Sequence, residues 1–129
     1  MNKNIVIAFI VLLLLVGGYY VMAKPKSGMT QATNSQFVAN KTVDVKGANY
    51  SFDVKEIRVK LNDKVKINFT NQEGFHDFRI DEFNVATKQI PAGQTETAEF
   101  VANKKGTFQY YCSVGQHRAN GMWGNLIVE

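Results

Sequence analysis

From Thr42 onward, apolar and polar residues take turns along the chain. "TVDVKGA" sets Val43 and Val45 against Asp44 and Lys46, and "YSFDVKEIRVKL" sets Ile57, Val59 and Leu61 against Glu56, Arg58 and Lys60. "KVKINF" repeats the pattern with Val65, Ile67 and Phe69, and "HDFRID", "TETAEFVA", "GTFQYYC" and "NLIVE" follow at short spacing. A period of two puts alternate side chains on opposite faces, which is the mark of half-buried strands. Lys46-Gly47, Asn62-Asp63, Pro91-Ala92-Gly93 and Lys105-Gly106 punctuate these runs as turns or loops. Only Glu82 to Gln89 has room for a helical turn in this region. Many short strands without a helix-length segment predict an all-β fold, an antiparallel sandwich or barrel. Phe52, Phe69, Phe75, Phe78, Phe83, Phe100 and Phe108 supply bulk for its inner faces.

The N-terminus follows a different pattern. Ile5 to Ala23 is an uncharged apolar run of 19 residues, and about 20 such residues span a bilayer as a helix. The run predicts one N-terminal apolar helix, either a retained membrane anchor or the core of a cleaved signal peptide. Its length and the interfacial pair Tyr19-Tyr20 favour the anchor; Lys3 and the small residues near Ala23 suit the signal. No lipid-attachment cysteine follows the run. With the short N-terminus inside, either reading places the remainder on the periplasmic or cell-surface side, extracytoplasmic, with membrane contact through residues 5–23. The next stretch, "KPKSGMTQATNSQ", is polar and reads as a tether. The expected organisation is a signal or anchor segment at 1–26, a linker at 27–36 and one folded domain at 37–129.

Charge narrows the partners. The 129 residues carry a formal net charge of +4. Lys3 is the only charged residue before Lys24, so 14 basic against 11 acidic residues leave +3 on the rest. The signs are interspersed without a basic stripe, which argues against nucleic acid as a partner. A monomer is expected.

The single cysteine, Cys112, cannot form an internal disulfide. In an oxidising compartment such a thiol is buried, bridged to another chain, or chemically employed. Its neighbours favour employment. "CSVGQHRANGM" places Cys112, His117 and Met122 five residues apart, and the chain's other histidine, His76, opens the predicted strand in "GFHDF". Thiolate and thioether select soft Cu(I), and imidazole serves both oxidation states of copper. An electron-transfer copper site uses two histidines and a cysteine, with a weak axial methionine. Cys112 ends one predicted strand and "NLIVE" begins soon after Met122, so three of the four candidates share one loop at an end of the sandwich. Gly115, Gly121 and Gly124 give that loop the freedom to wrap round an ion. Singly each residue has an ordinary reading: solvated histidine, buried cysteine, methionine as core filler.

The arrangement resembles the cupredoxins, the small blue copper proteins. The resemblance runs from about Val43 to Glu129 and is carried by "GFHDF" and "YYCSVGQHRANGMWG". The C-x4-H-x4-M spacing is like that of the rusticyanin and sulfocyanin branch and of small plastocyanin-like domains. It implies an antiparallel Greek-key β-sandwich in which His76, Cys112 and His117 are equatorial ligands and Met122 the axial ligand of one type 1 copper ion. Ser113-Val114-Gly115-Gln116 departs from the serine, valine, proline, glycine run such sites often carry, which removes a stiffening proline. Asp77 stands where relatives often place an asparagine that braces the ligand loop; its alternative is a solvated carboxylate at a strand edge. Trp123 is either part of an apolar rim with Phe75 or plain core.

Four protein ligands leave no open position for substrate, unlike a catalytic metal site. The expected function is a mononuclear blue copper electron carrier rather than an enzyme. Redox partners would dock near His117, on a patch formed by Gly121, Met122 and Trp123 with Arg118 at its rim. The alternative is a copper-handling module that buffers or delivers the ion, although the chain has no Met- or His-rich stretch. A binuclear copper centre would need a second cysteine where Gln116 stands.

Overall fold

The computed structural model describes residues 37–129. Its strands are β1 (Lys41–Ala48), β2 (Ser51–Phe52), β3 (Glu56–Val59), β4 (Lys64–Asn71), β5 (Phe75–His76), β6 (Arg79–Ile80), β7 (Val85–Ala86), β8 (Ile90–Pro91), β9 (Thr95–Val101), β10 (Gly106–Tyr111) and β11 (Trp123–Val128). One sheet has the order β2-β1-β4-β9, a second has β3-β11-β10-β6-β7, and β5 pairs with β8. The apolar run 5–23, the wider segment 1–26 and the linker to residue 36 lie outside the described residues.

The alternation does what it predicts. Along β4, Val65, Ile67, Phe69 and Asn71 are buried while the residues between them are not; β9 buries Ala98 and Phe100, and β11 buries Leu126 and Val128. Inner faces of both sheets contribute to one apolar cluster. At its centre Phe52 lies 5.8 Å from Phe78 and 5.5 Å from Tyr110, and Phe78 stacks on Tyr110 at 5.0 Å. Buried aromatics each contribute about 2–3 kcal/mol by leaving water. Among the described phenylalanines Phe83 is only partly buried and Phe75 is exposed, at 47%.

The sheets are mixed rather than antiparallel. β1 runs parallel to β4, and β11 parallel to β3, while β4–β9 and β10–β11 are antiparallel. Side-chain alternation is the same in both kinds of ladder, so the sequence pattern does not distinguish them. "YSFDVKEIRVKL", expected as one strand, instead crosses between sheets: β2 belongs to one and β3 to the other. Asp53 fixes the corner, its carboxylate accepting from the Lys46 N–H at 2.7 Å and the Val54 N–H at 2.9 Å. "HDFRID" is likewise divided, because Asp77 and Phe78 both turn inward between β5 and β6. The helical turn is a short 3₁₀ segment at Asp81–Phe83, closed by Asn84 in the left-handed region.

Gly47, expected at a turn, and Gly124, expected in the ligand loop, sit inside strands. Gly47 lies in β1 because a Cβ there would meet the Phe69 ring at 2.9 Å and the Met122 methyl at 3.1 Å. Gly124 lies in β11, where a Cβ would fall 2.2 Å from the Tyr110 ring. The β1–β2 turn is instead Asn49-Tyr50, both at positive φ (45° and 57°).

Candidate metal centre

Two strand ends and one loop bring the candidate ligands together. β5 ends at His76, and β10 ends one residue before Cys112. The loop from Ser113 to Met122 is wound tightly on itself. The His117 N–H donates to the Val114 carbonyl (3.0 Å), the Asn120 N–H to Gln116 (2.9 Å) and the Gly121 N–H to Arg118 (3.1 Å). Gly115 and Gly121 take φ of 44° and 100°, left-handed geometry that glycine adopts freely. Met122 closes the loop: its N–H donates to the His117 carbonyl at 3.0 Å, and its carbonyl accepts from the Cys112 N–H at 3.1 Å.

These connections converge three donor atoms. The Cys112 sulfur lies 3.7 Å from His76 Nδ1 and 3.5 Å from His117 Nδ1, and the two nitrogens are 3.0 Å apart. Metal–donor bonds of roughly 2.0–2.3 Å would hold such atoms roughly 3.5–3.8 Å apart in a trigonal plane. Both sulfur–nitrogen distances fit one small ion, and the nitrogen pair is slightly tighter. Cys112 and Met122 are fully buried, His76 is nearly so, and His117 is half-buried.

The supporting residues explain this rigidity. Asp77 is buried, 3% exposed, so it is not a solvated carboxylate. It accepts from the Ser113 N–H at 2.6 Å and the Ser113 hydroxyl at 2.5 Å, tying the start of the ligand loop to the His76 segment. Asn71, which the sequence reading passed over, does the same on the other side. Its amide donates to the carbonyls of Gly74 (3.0 Å) and Ile90 (2.7 Å), and so fixes the turn into His76. Thr87 accepts from the Phe78 N–H and donates to the Lys88 carbonyl, both at 3.0 Å. The polar cluster "NQEG" before the histidine was the available signal for Asn71.

Burial pushes the Cys112 thiol up to about 11; backbone N–H groups of Asp77 and Val114 favour the thiolate and offset part of this, while the Asp77 charge adds to the rise. Burial, then the neighbouring His117, hold His76 below its usual range, against a Glu73 backbone hydrogen bond and the Asp77 and Glu73 charges. Both directions keep the donors neutral among themselves. A bound cation would take the thiol proton's place, because the thiolate is the ligand form.

The rim differs from the expected one. Met122 is core and contributes nothing to a surface patch, and Trp123 is 41% exposed, so it is not plain core. Around the histidines lies an open cleft of about 350 Å³ lined by Tyr50, Phe75, Val114 and His117 among others. Arg118 stacks over the Tyr111 ring at 3.8 Å and donates to Gln109, so its side chain lies along the sheet.

The family model for the cupredoxin-like domain matches residues 9–128. The chain belongs to the cupredoxin-like family. This cupredoxin-like domain is similar to auracyanin B (TM-score 0.65, 21% identity, 71% of this chain and 91% of that one). It is also similar to the auracyanin of Roseiflexus castenholzii (TM-score 0.63, 25% identity, 71% and 99%). Among curated proteins, the copper-containing nitrite reductase of Neisseria meningitidis is 34% identical over 84 residues, and the nitrous-oxide reductase of Stutzerimonas stutzeri is 34% identical over 84 residues. Those matches take 57% and 61% of this chain but only 22% and 13% of the reductases. In a cupredoxin-like domain, the clustering of His76, Cys112 and His117 beside buried Met122 fits a single type 1 copper ion as cofactor.

Proposed function

We propose that this protein is an extracytoplasmic, mononuclear blue copper electron carrier, with His76, Cys112 and His117 as equatorial ligands and Met122 as the axial one. The observation that carries this reading is that two imidazole nitrogens and the only thiol lie within 4.8 Å of one another on a braced scaffold. Copper bound there supplies one-electron exchange between its two oxidation states. The chain's own residues do the rest. Asp77, Asn71 and the Cys112–Met122 backbone bond hold the donors in place, which keeps rearrangement small when charge changes. The buried sulfur and thioether exclude water, and a donor set of four leaves no open position of the kind a catalytic metal site keeps. For that reason we read the domain as a carrier rather than an enzyme, although the curated relatives named above are reductases of much greater length.

His117 is the ligand nearest solvent, and the cleft beside it, lined by Tyr50, Phe75 and Val114, is where redox partners would dock. The apolar run 5–23 would hold the domain at the outer face of a membrane, or direct its export. The protein acts as a monomer and does not bind nucleic acid in this reading.

Voltammetry of the copper-loaded protein, followed by competition with a Cu(I) chelator, tests the proposal. A carrier gives a reversible one-electron wave and retains copper in both states. Irreversible reduction with ready surrender of Cu(I) would instead support copper delivery, the alternative.

A further inference from the structure

We infer that Tyr50 is a positioning residue for His117: its ring, presented by a strained turn, clamps the half-buried imidazole in the orientation the metal site requires. This rests on the copper reading above. Tyr50 lies edge-to-face with His117, ring centroids 4.8 Å apart and planes at 85°. Among the described residues the other aromatic neighbour of that imidazole is His76, also at 4.8 Å. Edge-to-face pairs at this separation are attractive and directional.

The backbone under Tyr50 makes the contact unusual. Ala48 pairs with Ser51, so Asn49-Tyr50 is a two-residue hairpin turn with both residues at positive φ. Such turns favour asparagine followed by glycine. Asn49 suits its position, but a bulky aromatic at φ 57° is an outlier that persists only when its surroundings demand it. Glycine would relieve the turn. The chain instead keeps an aromatic side chain, 49% exposed, that packs against His117. The need is local: the ligand loop has Gly115 where a proline would stiffen it, and among the described residues the only side chains hydrogen-bonded to His117 are the other candidate ligands, His76 and Cys112.

The test separates this role from ordinary packing. Tyr50→Gly creates the turn's preferred pair, so the melting temperature of the metal-free protein holds or rises. In the same metal-free protein, 13C relaxation of the His117 ring shifts from ordered toward flexible, and the copper-loaded protein releases Cu(I) to a chelator about tenfold faster. Tyr50→Phe keeps the ring and restores both. The inference is overturned by wild-type ring order and copper release in Y50G. It is equally overturned by a Y50F variant as loose as Y50G, or by a Y50G melting temperature clearly below wild type, which would make Tyr50 a general packing residue. If the wild-type protein took no copper, the function proposed above would fail, and the metal-free ring measurement would still decide the clamp.

Discussion

The ladders of β4, β9, β10 and β11 and the connections around His76 are held by different forces. In the ladders, alternate residues bury apolar side chains, and any side chain of similar size and shape would serve. Around His76 buried polar residues join the apolar ones. The four buried polar residues among those described are Asn71, His76, Asp77 and Thr87, all within one stretch of chain. Three of them bond to backbone groups of neighbouring segments, and His76 faces Cys112 and His117. Left unpaired, such groups cost about 1–3 kcal/mol each, so this end of the molecule tolerates few substitutions. The sandwich body provides stability, and the polar end converts it into fixed positions for donor atoms.

The sharpest separation of the two regions comes from paired substitutions. Cys112→Ala removes all copper-dependent colour, while denaturant unfolding of the metal-free protein changes by no more than about 1–2 kcal/mol, the worth of a small buried side chain. Phe69→Ala acts in the body: urea unfolding shows a loss of about 3–5 kcal/mol, at about 4–8 °C of melting temperature per kcal/mol. If Phe69→Ala left stability unchanged, the body would not be the source of rigidity.

The sequence made the body legible because burial and alternation are local and periodic. Val65, Ile67 and Phe69 announce their inner face without reference to any partner. The direction of pairing is not local, which is why parallel β1–β4 and β3–β11 escaped notice. The candidate ligands were also legible, since a chain with one cysteine and two histidines offers few alternatives. Their support was less so. Asp77 came through a resemblance. Asn71 and Tyr50 act through contacts with segments distant in sequence, and Gly47 and Gly124, expected in a turn and in the ligand loop, are strand positions cleared for Phe69, Met122 and Tyr110.

Asp77→Ala probes the join between the two regions. It leaves the Ser113 N–H without its acceptor, so unfolding free energy falls by about 1–3 kcal/mol and copper affinity by about 10–100-fold. Asp77→Asn keeps one acceptor oxygen and recovers part of both. Equal losses in the two variants would place the effect in the charge rather than the hydrogen bond.

Changing pH probes the polar end without any substitution. The folded Cys112 thiol holds its proton up to about 11 against 9.0 for an unperturbed thiol. The unfolded chain therefore ionises first, and metal-free stability present below pH 9 falls by roughly 2–3 kcal/mol as pH rises towards 11. Tyr110 and Tyr111 are also raised, mainly by burial, and add losses of the same sign above pH 10. His76 is lowered, so stability also falls as pH drops below 6.5. Chemical unfolding across this range should show a plateau between, and Cys112→Ala should flatten only its alkaline side.

The most direct test of the central claim is a Cu(II) titration of the purified protein followed by visible absorption. The account predicts an intense thiolate-to-copper charge-transfer band that saturates at one equivalent and disappears in Cys112→Ala. Colourless binding, a different stoichiometry, or a band that survives the loss of Cys112 would contradict it.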